Sequence, residues 1–259
     1  MIHELRLFFV ALQFLTRAPV PAWVGFEPAW LNQSARHFPG VGLCVGAVSA
    51  LVLVLGHALF TPAVAVGLAM AASVLLTGAF HEDGFADTCD ALGGAVSRER
   101  ALAIMKDSRI GAYGTVGLVL MLGLKAATLT PLPLAAAVPA LLLAHTASRA
   151  AAVMLIRWLP YAGDIEHAKA KPMAQRIDVL GVVVALAWVV GVSALIVWNR
   201  PAQVTALLVS LGLACVGTAW CAHWLRGRLG GYTGDALGAT QQITELLMLL
   251  GWLAALRIG

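Results

Sequence analysis

Charge is scarce in this chain. Only 12% of its 259 residues are Asp, Glu, Lys or Arg, 60% are hydrophobic, and the mean hydropathy is +0.86. Such a balance excludes an ordinary soluble domain and points to a multi-span membrane protein. Cysteine is equally thin: Cys44, Cys89, Cys215 and Cys221 include no C-x-x-C pair, which excludes a zinc or disulfide framework. No fixed-period repeat, low-complexity linker or soluble segment long enough to stand apart interrupts the sequence, so residues 1–259 are expected to form one domain.

What is present in abundance is the apolar run. Stretches of roughly 18 residues or more mark a membrane-crossing helix, and here they fall at 41–59, 62–80, 112–130, 132–156, 178–198, 202–224 and 242–258. The expected fold is an all-α polytopic bundle of about seven transmembrane helices. The N-terminal "LRLFFVALQFLT" resembles a signal-peptide core, but Arg6 and Gln13 interrupt it and Glu4 occupies the positive region. It reads instead as an amphipathic interfacial helix presenting Leu5, Phe8, Phe9, Leu12 and Leu15 on one face.

The few charges are unevenly placed. Arg6, Arg17 and Arg36 precede the first span; Arg98, Arg100, Lys106 and Arg109 follow the second; Arg157, Lys169, Lys171 and Arg176 follow the fourth; Arg226 and Arg228 follow the sixth. Against these thirteen the other side offers Arg200 and Arg257, so the rich segments are expected in the cytoplasm and the C-terminus outside. The net charge of +4 is thus a topological signal, and no nucleic-acid partner is implied.

Against that background "FHEDGFADTCDALGG" (80–94) packs Glu82, Asp83, Asp87 and Asp90 together. Asp83, Asp87 and Asp90 stand at i, i+4 and i+7, one face of a helix, with neighbouring Cβ atoms about 5–6 Å apart. Two full charges at that distance repel by roughly 3 kcal/mol at an effective dielectric of ~20. A divalent cation such as Mg²⁺ relieves this repulsion, and hard carboxylate oxygens suit it. A solvated acidic loop is the bland alternative; Phe80, Phe85 and the close-packing Gly84, Gly93 and Gly94 weigh against it.

Two further clusters complete the pattern. "MKDSRIGAYG" (105–114) offers Lys106 and Arg109 to phosphate, Asp107 as an extra ligand, and Gly111 and Gly114 at a helix start whose N–H groups suit an anion. Replacing Arg98, in the same loop but outside this motif, with Lys is expected to leave turnover nearly unchanged. "GGYTGDALGAT" (230–240) adds Thr233 and Asp235 among glycines, with an ordinary interhelical turn as the alternative. Within spans, Arg149 is placed to reach the same face, and Lys125 to pair with a carbonyl or snorkel. Among the seven histidines only His81 is well placed.

Together with "FLTRAPVP" and "FPGVGLCVG", these stretches resemble the cobalamin synthase (adenosylcobinamide-GDP ribazoletransferase) family, in family order and over nearly the whole chain. Glu82 after the His and Ala91 after the last aspartate depart from the family's usual residues. The resemblance implies transfer of α-ribazole, or its 5′-phosphate, onto adenosylcobinamide-GDP with release of GMP and use of Mg²⁺. Asp83, Asp87 and Asp90 would hold the metal on the diphosphate. Lys106, Arg109 and Arg149 would stabilise its oxygens, and His81 or a carboxylate would accept the hydroxyl proton. The implied setting is the bacterial inner membrane with the site facing the cytoplasm. CDP-alcohol phosphotransferases share Asp-rich helices but not the D-x₃-D-x₂-D spacing followed by K-D-S-R; a transporter would spread polar residues through the membrane depth.

Overall fold

The computed structural model describes residues 2–25, 27–107, 109–163 and 174–258. Lys169, Lys171 and Ser108 lie outside them. Seven long helices stand where apolar runs predict them: α3 (Phe38–Leu59), α4 (Pro62–Thr77), α7 (Ala112–Leu129), α8 (Leu134–Trp158), α9 (Val179–Asn199), α10 (Val204–Leu229) and α11 (Gly234–Ile258). Between or before them run α1 (Ile2–Leu15), α2 (Pro28–Ser34), α5 (Phe80–Leu92) and α6 (Arg98–Met105). Among the described residues there is no strand, only an isolated parallel bridge between Tyr161 and Tyr232.

By length and hydropathy the described residues hold five helices able to cross a membrane, six if α4 and α5 are taken as one bent span. That is fewer than the seven expected, for two physical reasons. Helix α4 has 16 residues, about 24 Å at ~1.5 Å per residue, short of a hydrocarbon core of about 30 Å. Helix α11 carries Gln241, Gln242, Thr244 and Glu245, all buried against other helices, so its polar residues lower its hydropathy without meeting lipid.

Helix α8 is the axis of the bundle: 89% of its most apolar stretch is buried, against 28% for α7 and for α9. The outer helices turn apolar side chains outward, as Leu51 and Leu55 on α3, Val116 and Leu120 on α7 and Val183 and Val190 on α9 show. In a membrane protein that is the lipid face. Close approach of α3 to α8 depends on a small-xxx-small pair. A Cβ on Gly42 would collide with the His145 carbonyl, and one on Gly46 would lie 3.1 Å from Leu141 O. Pro139 inside α8 cannot donate to Ala135 O, and Gln203 Nε2 supplies that missing hydrogen bond at 2.9 Å.

The N-terminal helix forms, but its buried face is Leu7, Val10, Ala11 and Leu15, while Leu5 is exposed. The face expected from hydrophobicity is thus rotated, because α1 packs on α2 and α3 instead of resting on lipid alone. Glu4 is fixed by His37 Nε2 at 3.0 Å and Arg36 Nη1 at 3.3 Å.

The four basic segments are tied together at one end of the bundle. Arg98 Nε donates to Leu229 O at 2.7 Å, Arg228 Nη2 to Gly94 O at 2.8 Å and Arg226 Nη2 to Trp158 O at 3.1 Å. Asn32 Oδ1 accepts from Gln175 N at 2.7 Å. Arg98 therefore closes the C-terminus of α10, a structural role its place in the loop did not reveal.

Candidate active site

At this same end the chain turns sharply. Gly78 (φ 68°) and Ala79 (φ 59°) are both left-handed, and α5 leaves α4 at 89°. The acidic helix therefore runs across the end of the bundle instead of continuing through it. Its closest partner is the start of α11: a Cβ on Gly84 would lie 2.9 Å from Asp235 Cα, and one on Gly238 3.1 Å from His81 O. Glycine at these positions lets two backbones meet, which brings Asp235 to Asp83 and Asp87.

The electrostatics record that meeting. Burial first, then the charges of Asp235, Asp83 and Asp90, push the Asp87 carboxyl up to about 7. Burial and Asp83 push Asp235 up to about 6. Among the described residues, no three His, Cys, Asp or Glu side chains are close enough to enclose a metal by themselves. The donor set nonetheless suits Mg²⁺, which is commonly held by one or two carboxylates and completed by substrate phosphates and water.

The other expected residues fall into distinct places. Asp90 turns both oxygens onto backbone N–H groups, Gly111 N at 2.7 Å and Gly114 N at 2.8 Å. The helix start expected to receive an anion thus receives this one. Asp107 accepts from Arg109 Nη2 at 2.6 Å and Nε at 3.0 Å, and this pairing draws its pKa down to about 2. It orients the exposed Arg109 and is not gathered with the α5 carboxylates. Lys106 ends α6. Thr233 Oγ1 accepts from Ala236 N at 3.2 Å and is a cap for α11.

His81 and Arg149 do come together. With Phe14, Phe38, Phe80, Leu237 and Gln241 they line a small, partly open cleft of about 30 Å³. Burial, and then the Arg149 charge, hold the His81 imidazole well below its ordinary range, so it is neutral. Arg149 Nη1 donates to His145 O at 2.9 Å, while its buried Nε has no protein partner.

Behind this cleft lies a polar network that sequence reasoning largely missed. Lys125 Nζ donates to Glu245 Oε1 and to the amide carbonyl Oε1 of Gln242, each at 2.6 Å; it pairs with a carboxylate as well as a carbonyl and does not snorkel to the interface. His145 Nδ1 is 3.2 Å from Glu245 Oε2, Gln241 bonds the same carboxylate, and Gln242 Nε2 donates to Glu82 Oε1 at 3.0 Å. Glu82, the departure from the family's usual residue, thereby links the acidic helix to the network. The available signal was a pair of opposite intramembrane charges, Lys125 and Glu245, each costly alone.

With this geometry in place, the cobalamin-5-phosphate synthase family matches residues 7–253, nearly the entire chain. The chain belongs to that family. The adenosylcobinamide-GDP ribazoletransferase of Leptothrix cholodnii is 57% identical over 98% of this chain and 97% of its own. Its namesake in Albidiferax ferrireducens is 45% identical over 95% of this chain and 97% of its own. That of Vibrio cholerae is 43% identical over 98% and 96%. No solved structure gives a significant match. Membership of the cobalamin-5-phosphate synthase family agrees with the resemblance carried by the acidic, basic and glycine-rich stretches.

Proposed function

We propose that this membrane protein is an adenosylcobinamide-GDP ribazoletransferase. A ribose hydroxyl of α-ribazole, or of its 5′-phosphate, attacks the cobinamide-side phosphorus of the diphosphate. The bond from that phosphorus to the bridging oxygen breaks, GMP leaves with the oxygen, and adenosylcobalamin or its 5′-phosphate forms. The observation that carries the reading is the backbone approach of α5 and α11 at Gly84 and Gly238, which crowds Asp235 against Asp83 and Asp87 at one end of the bundle.

Asp83 and Asp87, with Asp235 beside them, would hold Mg²⁺, which supplies charge neutralisation on the diphosphate. Arg109, exposed and steered by Asp107, reaches for phosphate oxygens, with Lys106 nearby in sequence. His81 or one of the α5 carboxylates takes the hydroxyl proton. The charge distribution favours a cytoplasmic site in the bacterial inner membrane. Purified protein in detergent, given adenosylcobinamide-GDP, α-ribazole and Mg²⁺, should release GMP and form the corresponding cobalamin. Absence of GMP release with any ribazole acceptor would rule the proposal out.

A further inference from the structure

Helix α7 opens without a capping side chain of its own, because Gly111 occupies its N-cap. The N–H groups left over are met from another helix. Gly111 N donates to Asp90 Oδ2 at 2.7 Å, and Gly114 N, on the third helical residue, donates to Oδ1 at 2.8 Å. A capping box satisfies these same two positions with two local side chains; here one carboxylate does both across an interface. Its negative charge also faces the positive end of the α7 dipole. Glycine is needed at both donors. A Cβ on Gly111 would stand 2.5 Å from Asp90 Oδ1, and one on Gly114 would stand 2.9 Å from Ala86 O.

We propose that Asp90 is a positioning residue that clips α7, and the 109–111 segment leading into it, onto the acidic helix. It stands outside the shell of the divalent cation, although it shares a helical face with Asp83 and Asp87. Both its oxygens are committed to backbone donors, and moving them to a cation would strand the start of α7. Arg109 lies two residues before Gly111, so the clip sets where its guanidinium stands relative to the carboxylates. This role rests on the Mg²⁺-dependent transferase reading, but its structural core can be measured without turnover.

Amide hydrogen exchange over residues 110–118 of the intact wild-type protein is the first test, with and without saturating Mg²⁺. Protection should be the same in both; loss of protection on adding Mg²⁺ would mean that the carboxylate leaves α7 for the metal, and would overturn the proposal. Asp90→Asn and Asp83→Asn then separate the two roles. Asp90→Asn should open these amides and lower kcat by about 10-fold through misplacement of the phosphate-binding connection. Asp83→Asn should lower turnover while leaving the amides protected. Loss of turnover in Asp90→Asn with the amides still protected would also sink the idea. Should that variant fail to accumulate, the wild-type comparison decides alone. A protein that releases no GMP yet keeps these amides protected would defeat the transferase reading and leave the clip standing.

Discussion

Lys125 Nζ lies 2.6 Å from Glu245 Oε1 between α7 and α11, and each side chain is only 6% exposed. Neither charge has water as a fallback, so each depends on the other and on the polar side chains of His145, Gln241 and Gln242 around them. Removing one partner of a buried pair typically costs about 3–5 kcal/mol, whereas replacing both by apolar residues of similar volume is often close to neutral. Lys125→Met and Glu245→Leu should each lower the unfolding midpoint in detergent markedly, and the double variant should recover most of the loss. Additive losses in the double variant would show that the two residues act independently.

Arginines of one loop should separate into two kinds. Arg109→Lys keeps a charge but loses the planar fork, so turnover should fall by at least ~10-fold, or about 1.4 kcal/mol of transition-state stabilisation. Arg98→Lys loses the Nε bond to Leu229 O and should lower stability by about 1 kcal/mol, with turnover per folded molecule preserved. Steady-state rates and thermal unfolding on the same preparations decide between this and a simple dependence on loop charge, which predicts equal effects.

Raised carboxyl pKa values fix the sign of a pH effect. Asp87 at about 7 and Asp235 at about 6 bind protons more tightly folded than unfolded. Their contribution favours folding below the ordinary aspartate pKa and is lost as pH rises through these values. A divalent cation offsets the repulsion that then appears. Mg²⁺ should therefore raise Tm more at pH 8 than at pH 5.5, and Asp87→Asn should narrow the difference. Equal Mg²⁺ shifts at both pH values in the wild type would contradict the carboxylate-cation linkage.

Sidedness is open to direct labelling. Ser97 caps α6 through Arg100 N at 3.3 Å, so the exposed neighbour Ala95 is the better position for a reporter. Ala202→Cys, at the opposite end, should react with an impermeant maleimide in intact cells; Ala95→Cys should react only after permeabilisation. The reverse pattern would invert the topology.

Much of this protein is decided by local sequence. Apolar runs long enough to become helices, a basic bias confined to four segments, and Asp83, Asp87 and Asp90 at helical spacing depend on composition and on periods of a few residues. All were legible in one dimension. The partners were not, because they depend on which helices touch. Asp235 joins Asp87 only because Gly84 and Gly238 let α5 and α11 meet backbone to backbone. Asp90 serves α7 only because α5 turns by 89° after two left-handed residues, one of them an alanine that no turn rule predicts. Lys125 found Glu245 across 120 residues of chain. Spacing along a helix fixes which side chains share a face; only the packing of that face decides whether a carboxylate meets a cation, a carboxylate or the bare end of another helix.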